Sequence, residues 1–377
     1  MKKIKYAMVG GGFGAFIGPV HRMAAELSGC YELVAGAFGL DAGKSLEYAS
    51  ELSVRGYANY EKMLQEEAGL EDGARLISIV TPNFAHFVVA KMALELGFDV
   101  LCEKPLTMTL EEALELQALV QSTNRTFAVA HAYACYPMVQ QARQMVAEGA
   151  LGDIRIIQSE YPQDWLATPT EKDASAKQAI WRTNPKLTGT GCLGDIGTHA
   201  LHTASFIAGL VPSHVLADMN TFVDDRAVDD HIQVLLKYDT GAKGMLWSSQ
   251  VAIGEENGLK VRIYGSKGSL QWEQMNPETL IFDSLGKARQ IIRKNRFDCT
   301  APSALMRVPA GHPEGYVEAF ANLYFLVAQK IGQKNQLDGN NSSEQGAYPD
   351  ITDGVLGMRF IDAVLKSAQN NNIWAPL

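Results

Sequence analysis

Cysteine, long apolar runs and grouped positive charge are all scarce in this chain of 377 residues. Its five cysteines, Cys30, Cys102, Cys135, Cys192 and Cys299, are odd in number, far apart and without a CxxC pair. That excludes a disulfide framework or a structural zinc site of the usual spacing and leaves them as small apolar residues. No eighteen consecutive apolar residues occur, so nothing reads as a membrane-spanning helix. The start MKKIKY imitates the basic region of a signal peptide, but glycines cut the apolar stretch short and no cleavage site follows, so the expected compartment is the cytoplasm. A net charge of -9 with no cluster of Lys and Arg argues against a nucleic-acid partner, because neutralising phosphates needs grouped cations. The chain also lacks internal repeats and low-complexity tracts.

What is present is 47% apolar and 20% charged, the balance of an ordered globular protein. The length suits two domains better than one, and the composition changes near residue 131, which sets the expected domains at 1–130 and 131–377. The first begins with a strand-like run, Lys3 to Val9, then GGGFGAFIGPVHR, and then a helix expected over Ala15 to Leu27 apart from Gly18 and Pro19 near its start. Gly10, Gly12 and Ala15 fit G-x-G-x-x-G/A. In that motif one glycine makes a tight turn, one lets the backbone approach a pyrophosphate, and a small residue packs the helix, whose free N–H groups attract the anion. Further apolar strands follow at 31–37, 75–80, 98–102 and 126–130, interleaved with amphipathic helices. This alternation implies an α/β Rossmann domain, a doubly wound parallel sheet with its ligand at the carboxyl ends of the strands. Thr81, Pro82 and Asn83 follow the third strand and Glu103, Lys104 and Pro105 the fourth, so both are expected at a dinucleotide crevice. After the second strand Phe38 stands where an acid is expected, with Asp41 and Lys44 just beyond and no arginine. This favours NAD, with NADP the competitor.

From residue 131 a helix near 136–148 leads into strand-like runs at 154–161, 215–222, 231–238, 243–251, 259–264, 269–273 and 279–282. Short turns between several of them imply an α+β domain with a large, mostly antiparallel open sheet, one face covered by helices and the other available for a homo-dimer or homo-tetramer. Residues 284–311 read as a long loop, 332–348 as an exposed polar segment, and 351–367 as a helix able to pack back on the first domain. Two stretches carry chemistry. In CEKPLT, Lys104 at a strand end could stabilise a developing alkoxide. In GTGCLGDIGTHALH, Asp195 and His199 are spaced i, i+4 at the start of a helix, where a carboxylate beside an imidazole suits transfer of a hydroxyl proton. His202, one turn further, reads as core. Asp195, His199 and His202 match no strong metal-ligand spacing, and no metal is expected.

Taken together, VGGGFGAFIGPVHR, TPNFAH, EKP and GTGCLGDIGTH, in this order, resemble the glucose-fructose oxidoreductase, inositol dehydrogenase and MocA group over essentially the whole chain. The resemblance implies that Lys104 lies by the nicotinamide and that Asp195 and His199 bind and deprotonate the substrate. It implies cofactor contacts from Gly10, Gly12, Phe13, Ala15, Phe16, Ile17, Phe38, Asp41, Thr81, Pro82, Asn83, His86, Glu103, Trp181 and Arg182. Tyr133, Tyr136, Tyr161, Trp165 and His312 are implied to shape a sugar pocket, and His21 and Arg22 to pack under the glycine loop. One departure stands out: Phe16, Ile17 and Gly18 lengthen the loop where many members run directly into the helix.

The expected function is hydride transfer between a nicotinamide cofactor and a hydroxyl or ketone of a sugar, sugar derivative or inositol. An alternative within the same group is an NAD-dependent glycoside hydrolase that oxidises a ring hydroxyl, eliminates the aglycone, hydrates and reduces again. That path needs an extra base, for which Tyr133, Tyr136, Tyr161 or His312 are available, and an anionic substrate could use Lys172, Lys177 or Arg182. A cofactor-binding regulator without catalysis is a third reading, which Lys104, Asp195 and His199 together disfavour.

Overall fold

The structure, a computed structural model, describes residues 3–334 and 346–377. In chain order its elements begin β1 (Ile4–Gly10), α1 (Ile17–Leu27), β2 (Tyr31–Ala37), α2 (Ala42–Glu51), β3 (Arg55–Gly56), α3 (Tyr60–Gly69), β4 (Leu76–Val80), α4 (His86–Glu95), β5 (Asp99–Cys102), α5 (Leu110–Thr123) and β6 (Phe127–Val129). Next come α6 (Pro137–Ala147), β7 (Ile154–Pro162), α7 (Lys177–Arg182), α8 (Pro185–Thr188), α9 (Thr198–Ala208), β8 (His214–Asn220), β9 (His231–Lys237), β10 (Lys243–Ser249), β11 (Lys260–Gly265), β12 (Gly268–Glu273), β13 (Thr279–Ser284) and β14 (Gln290–Arg293). The chain closes with α10 (Tyr316–Lys334), α11 (Ile351–Gln369) and β15 (Ala375–Pro376).

Two compact units result, one of residues 1–135 and 316–355 and the other of 136–315 and 356–377. In the first, a parallel six-stranded sheet runs β3-β2-β1-β4-β5-β6. The strand order reverses between β1 and β4, where Gly10 pairs in register with Val80 and opens the crevice at the carboxyl ends. The central strand β4 is buried along its whole length, as a strand covered by helices on both faces must be. The sequence reading assigns no element to 316–334, yet α10 lies there and packs on α1 within this unit. Its apolar residues surround most of the helix, so no polar stripe announces its period.

The expected terminal helix is α11, and it is divided. Ile351–Val355 belong to the first unit, where a Cβ on Gly354 would meet Leu106 and Val129 at 2.8 and 2.9 Å, and the remainder belongs to the second. Of the polar segment 332–348, residues 335–345 lie outside the described residues.

The second unit holds a nine-stranded sheet in the order β14-β13-β12-β11-β7-β10-β9-β8-β15. All neighbours are antiparallel except β7 and β10, which run parallel. Burial alternates along β9, β10 and β11, giving the sheet one covered and one open face. On the covered face α9 is buried at every residue, packed against β7, β11 and α6. The long loop expected over 284–311 contains β14, whose short run QIIR extends the sheet edge by pairing with β13.

Candidate functional site

In the first unit the candidate site is the glycine loop between β1 and α1. Gly10, Gly11 and Gly14 take φ of +86°, +74° and +74°, which a side chain would oppose. A Cβ on Gly12 would come within 2.4 Å of the Phe38 carbonyl oxygen, so only glycine lets this turn pass beside the end of β2. The helix begins at Ile17, two residues later than the motif spacing suggests. Ala15 sits in the turn, its N–H on the Gly12 carbonyl (3.1 Å), and the small residue that packs the helix on the loop is Gly18, where a Cβ would meet Gly11 Cα at 2.4 Å. The insertion of Phe16 and Ile17 therefore moves the packing contact along the helix instead of breaking it. Arg22 reaches back to the Gly11 carbonyl (3.1 Å) and to the Tyr48 hydroxyl (2.7 Å), bracing the loop from below.

These features fit a dinucleotide. The N-cap of α1 makes no side-chain capping bond and its first turn carries no acid, which leaves its backbone N–H groups and partial positive charge for an anion. Thr81, at the end of β4, keeps its hydroxyl buried without a hydrogen-bond partner among the described residues. Phe13 and Phe16 are exposed beside the loop.

Several residues expected at the cofactor also hold the crevice in shape. Phe38 is buried, its ring filling the space over Gly36 and lying 5.2 Å from the Tyr48 ring. Asp41 caps α2, accepting the Lys44 N–H at 2.9 Å. Asn83 is buried in the short turn after Pro82. His86 is fully buried and bridges the two strand-end loops, one ring nitrogen 2.9 Å from the Thr81 carbonyl and the other 2.9 Å from that of Pro105. Burial pushes its pKa below the usual histidine value, with those two hydrogen bonds opposing. Glu103 binds His21 through one oxygen (2.9 Å) and the Lys104 N–H through the other (3.1 Å). Burial pushes its carboxyl up, but the His21 hydrogen bond and charge and the Lys104 charge outweigh it and hold the carboxyl below the ordinary glutamate value. His21 in turn meets the Tyr324 hydroxyl of α10 at 2.9 Å, and Ser78 meets that hydroxyl at 3.0 Å. Tyr324 and Ser78 have no part in any sequence motif. Tyr133 packs its ring 6.2 Å from that of Tyr316 within this unit.

In the second unit the candidate site lies on the GTGCLGDIGTH segment. Residues Leu193–Gly197 are wound as a π-helix, with the Thr198 N–H reaching back five residues to the Leu193 carbonyl, before α9 begins. Asp195 thus stands on the wide turn and His199 in the first turn of α9. Asp195 accepts from Arg182 Nε (3.3 Å) and Gln250 Nε2 (2.9 Å), both on Oδ2. Arg182, expected at the cofactor, also bonds Gln178 (2.9 Å) and stacks 4.2 Å over the Trp181 ring. The His199 ring, largely buried, lies 6.2 Å from that of Tyr161, whose hydroxyl donates to Asn257. Tyr136 packs on Trp272 at 5.5 Å. Trp165 is half-buried, whereas His312 is exposed with its ring 3.3 Å from the Pro309 carbonyl. Lys172 pairs with Asp225 at 3.2 Å.

The turn itself is held by Asp229, a residue no motif points to. Its two carboxylate oxygens accept the Gly191 and Leu193 N–H groups at 2.7 and 2.6 Å, and its carbonyl accepts that of Cys192. Burial pushes this carboxyl up, against those hydrogen bonds. Among the described residues no three His, Cys, Asp or Glu side chains converge to hold a metal ion. No helix there is long and apolar enough to cross a membrane.

Residues 4–131 match the model of an oxidoreductase family with an NAD-binding Rossmann fold, and 139–271 match the GFO/IDH/MocA C-terminal domain. The uncharacterized oxidoreductase YfiI of Bacillus subtilis (strain 168) is 35% identical over 99% of this chain and 96% of its own length. The chain belongs to the GFO/IDH/MocA oxidoreductase family. A levoglucosan dehydrogenase of Pseudarthrobacter phenanthrenivorans is 28% identical over 72% of this chain and 73% of its own. The crystal structure of an inositol dehydrogenase homolog from Azotobacter vinelandii, complexed with NADH and myo-inositol, is 35% identical. It aligns with a TM-score of 0.89 over 100% of this chain and 98% of that one. This GFO/IDH/MocA member is accordingly an NAD-dependent oxidoreductase.

Proposed function

We propose that the protein is a dehydrogenase of a cyclic polyol, a sugar or inositol, exchanging a hydride at a carbon that bears a hydroxyl. The observation that carries this reading is the π-turn that places His199 by Tyr161 and fixes Asp195 between Arg182 and Gln250. Gly12, Phe13, Ala15, Phe16 and Ile17 would hold the pyrophosphate, with Thr81, Pro82, Asn83 and Trp181 as further contacts. Asp41 and the lack of arginine between Ala37 and Lys44 support NAD over NADP. Bound NAD supplies the hydride acceptor or donor. His199 takes the hydroxyl proton, Lys104 stabilises the alkoxide as it forms, and Asp195 orients a neighbouring hydroxyl. The substrates named for the inositol dehydrogenase homolog and for the levoglucosan dehydrogenase, both rings rich in hydroxyls, support the polyol class.

A homo-oligomer through the open sheet face is supported by exposed cross-strand pairs, Met245 with Leu235 and Ile156 with Tyr264.

The test follows NADH absorbance with myo-inositol, levoglucosan and a panel of sugars, together with aglycone release from glycosides. Reduced cofactor formed in step with substrate loss is expected, and His199→Ala and Lys104→Ala should each lower turnover about 10²- to 10⁴-fold while NAD still binds. Near-normal turnover in both variants would sink the assignment. NAD-dependent aglycone release without net NADH would replace it with the redox-assisted glycosidase.

A further inference from the structure

Arg226 lies between β8 and β9, in a segment that none of the motifs touches, and its side chain is wholly buried. A buried guanidinium is costly unless every donor is met. Here Nε and NH2 grip both oxygens of Glu171 (3.0 and 2.9 Å), while NH1 donates to Asp230 Oδ2 (3.2 Å). The same two terminal nitrogens also bind main-chain carbonyls, NH1 that of Leu166 (2.8 Å) and NH2 that of Thr168 (3.0 Å). The loop carrying Trp165 is thus fastened by one side chain at three successive points, residues 166, 168 and 171.

The segment that holds this loop also holds the catalytic turn. Asp229, three residues after Arg226, binds the N–H groups of Gly191 and Leu193. Asp230 accepts the Phe222 and Val223 N–H groups on its carboxylate and the Gln250 N–H on its carbonyl. Gln250 completes the connection, since its carbonyl accepts the Leu166 N–H (3.1 Å) and its side chain donates to Asp195 (2.9 Å). Residues 226–230 are therefore a common base for Trp165 on one side and the Asp195 and His199 turn on the other.

We propose that Arg226 is a positioning residue for substrate selection, which sets the distance between the Trp165 loop and the catalytic turn by pinning the loop to the segment that fixes the turn. This rests on the polyol dehydrogenase reading, in which Trp165 meets the ring. The five donors of arginine in a rigid fork are what the site requires; a lysine ammonium has three and cannot grip Glu171 and still reach both carbonyls.

The test uses the full chain with NAD and whichever of myo-inositol or levoglucosan it turns over. Arg226→Met should raise KM for the polyol about tenfold or more, with kcat changed less than about threefold and NAD affinity unchanged, because the loop shifts while the turn and the glycine loop of the first unit stay. Arg226→Lys should fall between parent and Arg226→Met, and it serves alone if the methionine variant does not fold. Hydrogen exchange supplies a readout free of substrate: amides of 165–171 should lose protection while those of β9 and β10 keep theirs. Parental KM, or unchanged protection at 165–171, would overturn the proposal. Normal turnover by His199→Ala would instead remove the dehydrogenase reading and leave the exchange result to decide whether Arg226 fixes the loop.

Discussion

The site proposed for the cofactor in the first unit is built from backbone, the one proposed for the polyol in the second from side chains. In the first, three glycines with positive φ and an uncapped helix end present N–H groups to an anion, and the side chains nearby, Arg22, His86 and Glu103, brace the frame. In the second, Asp195 is oriented by Arg182 and Gln250, the turn beneath it by Asp229 and the loop beside it by Arg226. A phosphate offers the same oxygens in every dinucleotide, so main-chain donors suffice for it. Hydroxyls around a ring differ in direction from one polyol to the next, and recognising them takes side chains held by other side chains.

The largest expected effects separate the two units by one methyl group each. A Cβ on Gly191 would stand 2.0 Å from the Asp229 carbonyl oxygen, which forces the π-turn away from its anchor. Gly191→Ala should lower turnover about 10²-fold, the cost of a displacement near 1 Å at reacting groups, while NADH titration by fluorescence shows cofactor affinity within about twofold of parent. Gly12→Ala, whose Cβ would press on the Phe38 carbonyl oxygen at 2.4 Å, should do the reverse and weaken NADH binding by about tenfold or more. If Gly191→Ala costs cofactor affinity as much as turnover, the division of labour between the units is mistaken.

This contrast explains how far the sequence could be read. Gly10 and Gly12, Thr81 to Asn83 and Glu103 to Pro105 are contiguous marks at strand ends, so their place in the crevice followed from spacing, and so did the parallel sheet around them. The one slip there, Ala15 for Gly18 as the packing residue, came from a loop two residues longer than the motif. The second site gathers Trp165 and Glu171, Arg182, Asp195 and His199, Arg226 to Asp230, and Gln250 from five separate stretches. Only the sheet register brings Gln250 at the end of β10 beside Asp230 at the start of β9. No spacing announces such a set. Asp195 and His199 were legible because they share a stretch, but the π-turn that carries Asp195 is held by Asp229, more than thirty residues on.

A middle-sized effect sharpens the comparison through two buried carboxylates that respond to acid in opposite senses. Glu103 in the first unit has its pKa lowered through His21 and Lys104 despite burial, so its contribution to stability is present above the ordinary value of 4.5 and is lost as pH falls below it. Asp229 in the second has its pKa raised by burial, so the native state binds the proton more readily than the unfolded chain, and stability falls as pH rises above 3.8 through the shifted value. Glu103→Gln should therefore make the acid limb of a stability profile shallower and Asp229→Asn make it steeper, as measured by urea unfolding at several pH values. At neutral pH Glu103→Gln should also cost roughly 3 kcal/mol, since it leaves half of a buried pair. Parallel shifts of both acid limbs would mean that the two carboxylates are held alike.

The smallest effect concerns Asp41, the one side chain of the first unit to which the sequence assigns a choice between cofactors. Its carboxylate accepts the Lys44 N–H as the N-cap of α2, a structural duty for which Asp41→Ala should cost about 1 kcal/mol and lower the melting temperature by a few degrees. If that is its whole role, the ratio of kcat/KM for NAD to that for NADP stays at the parental value, and the first unit selects its cofactor with backbone alone. A carboxylate that also accepts a ribose hydroxyl repels a phosphate placed there, so its removal moves the ratio toward NADP by about tenfold, and Asp41→Asn, which keeps the cap, moves it as well. In that case the first unit, too, uses a side chain where two ligands differ, and the contrast between the units becomes one of degree: backbone for the parts all ligands share, side chains for the parts that distinguish them.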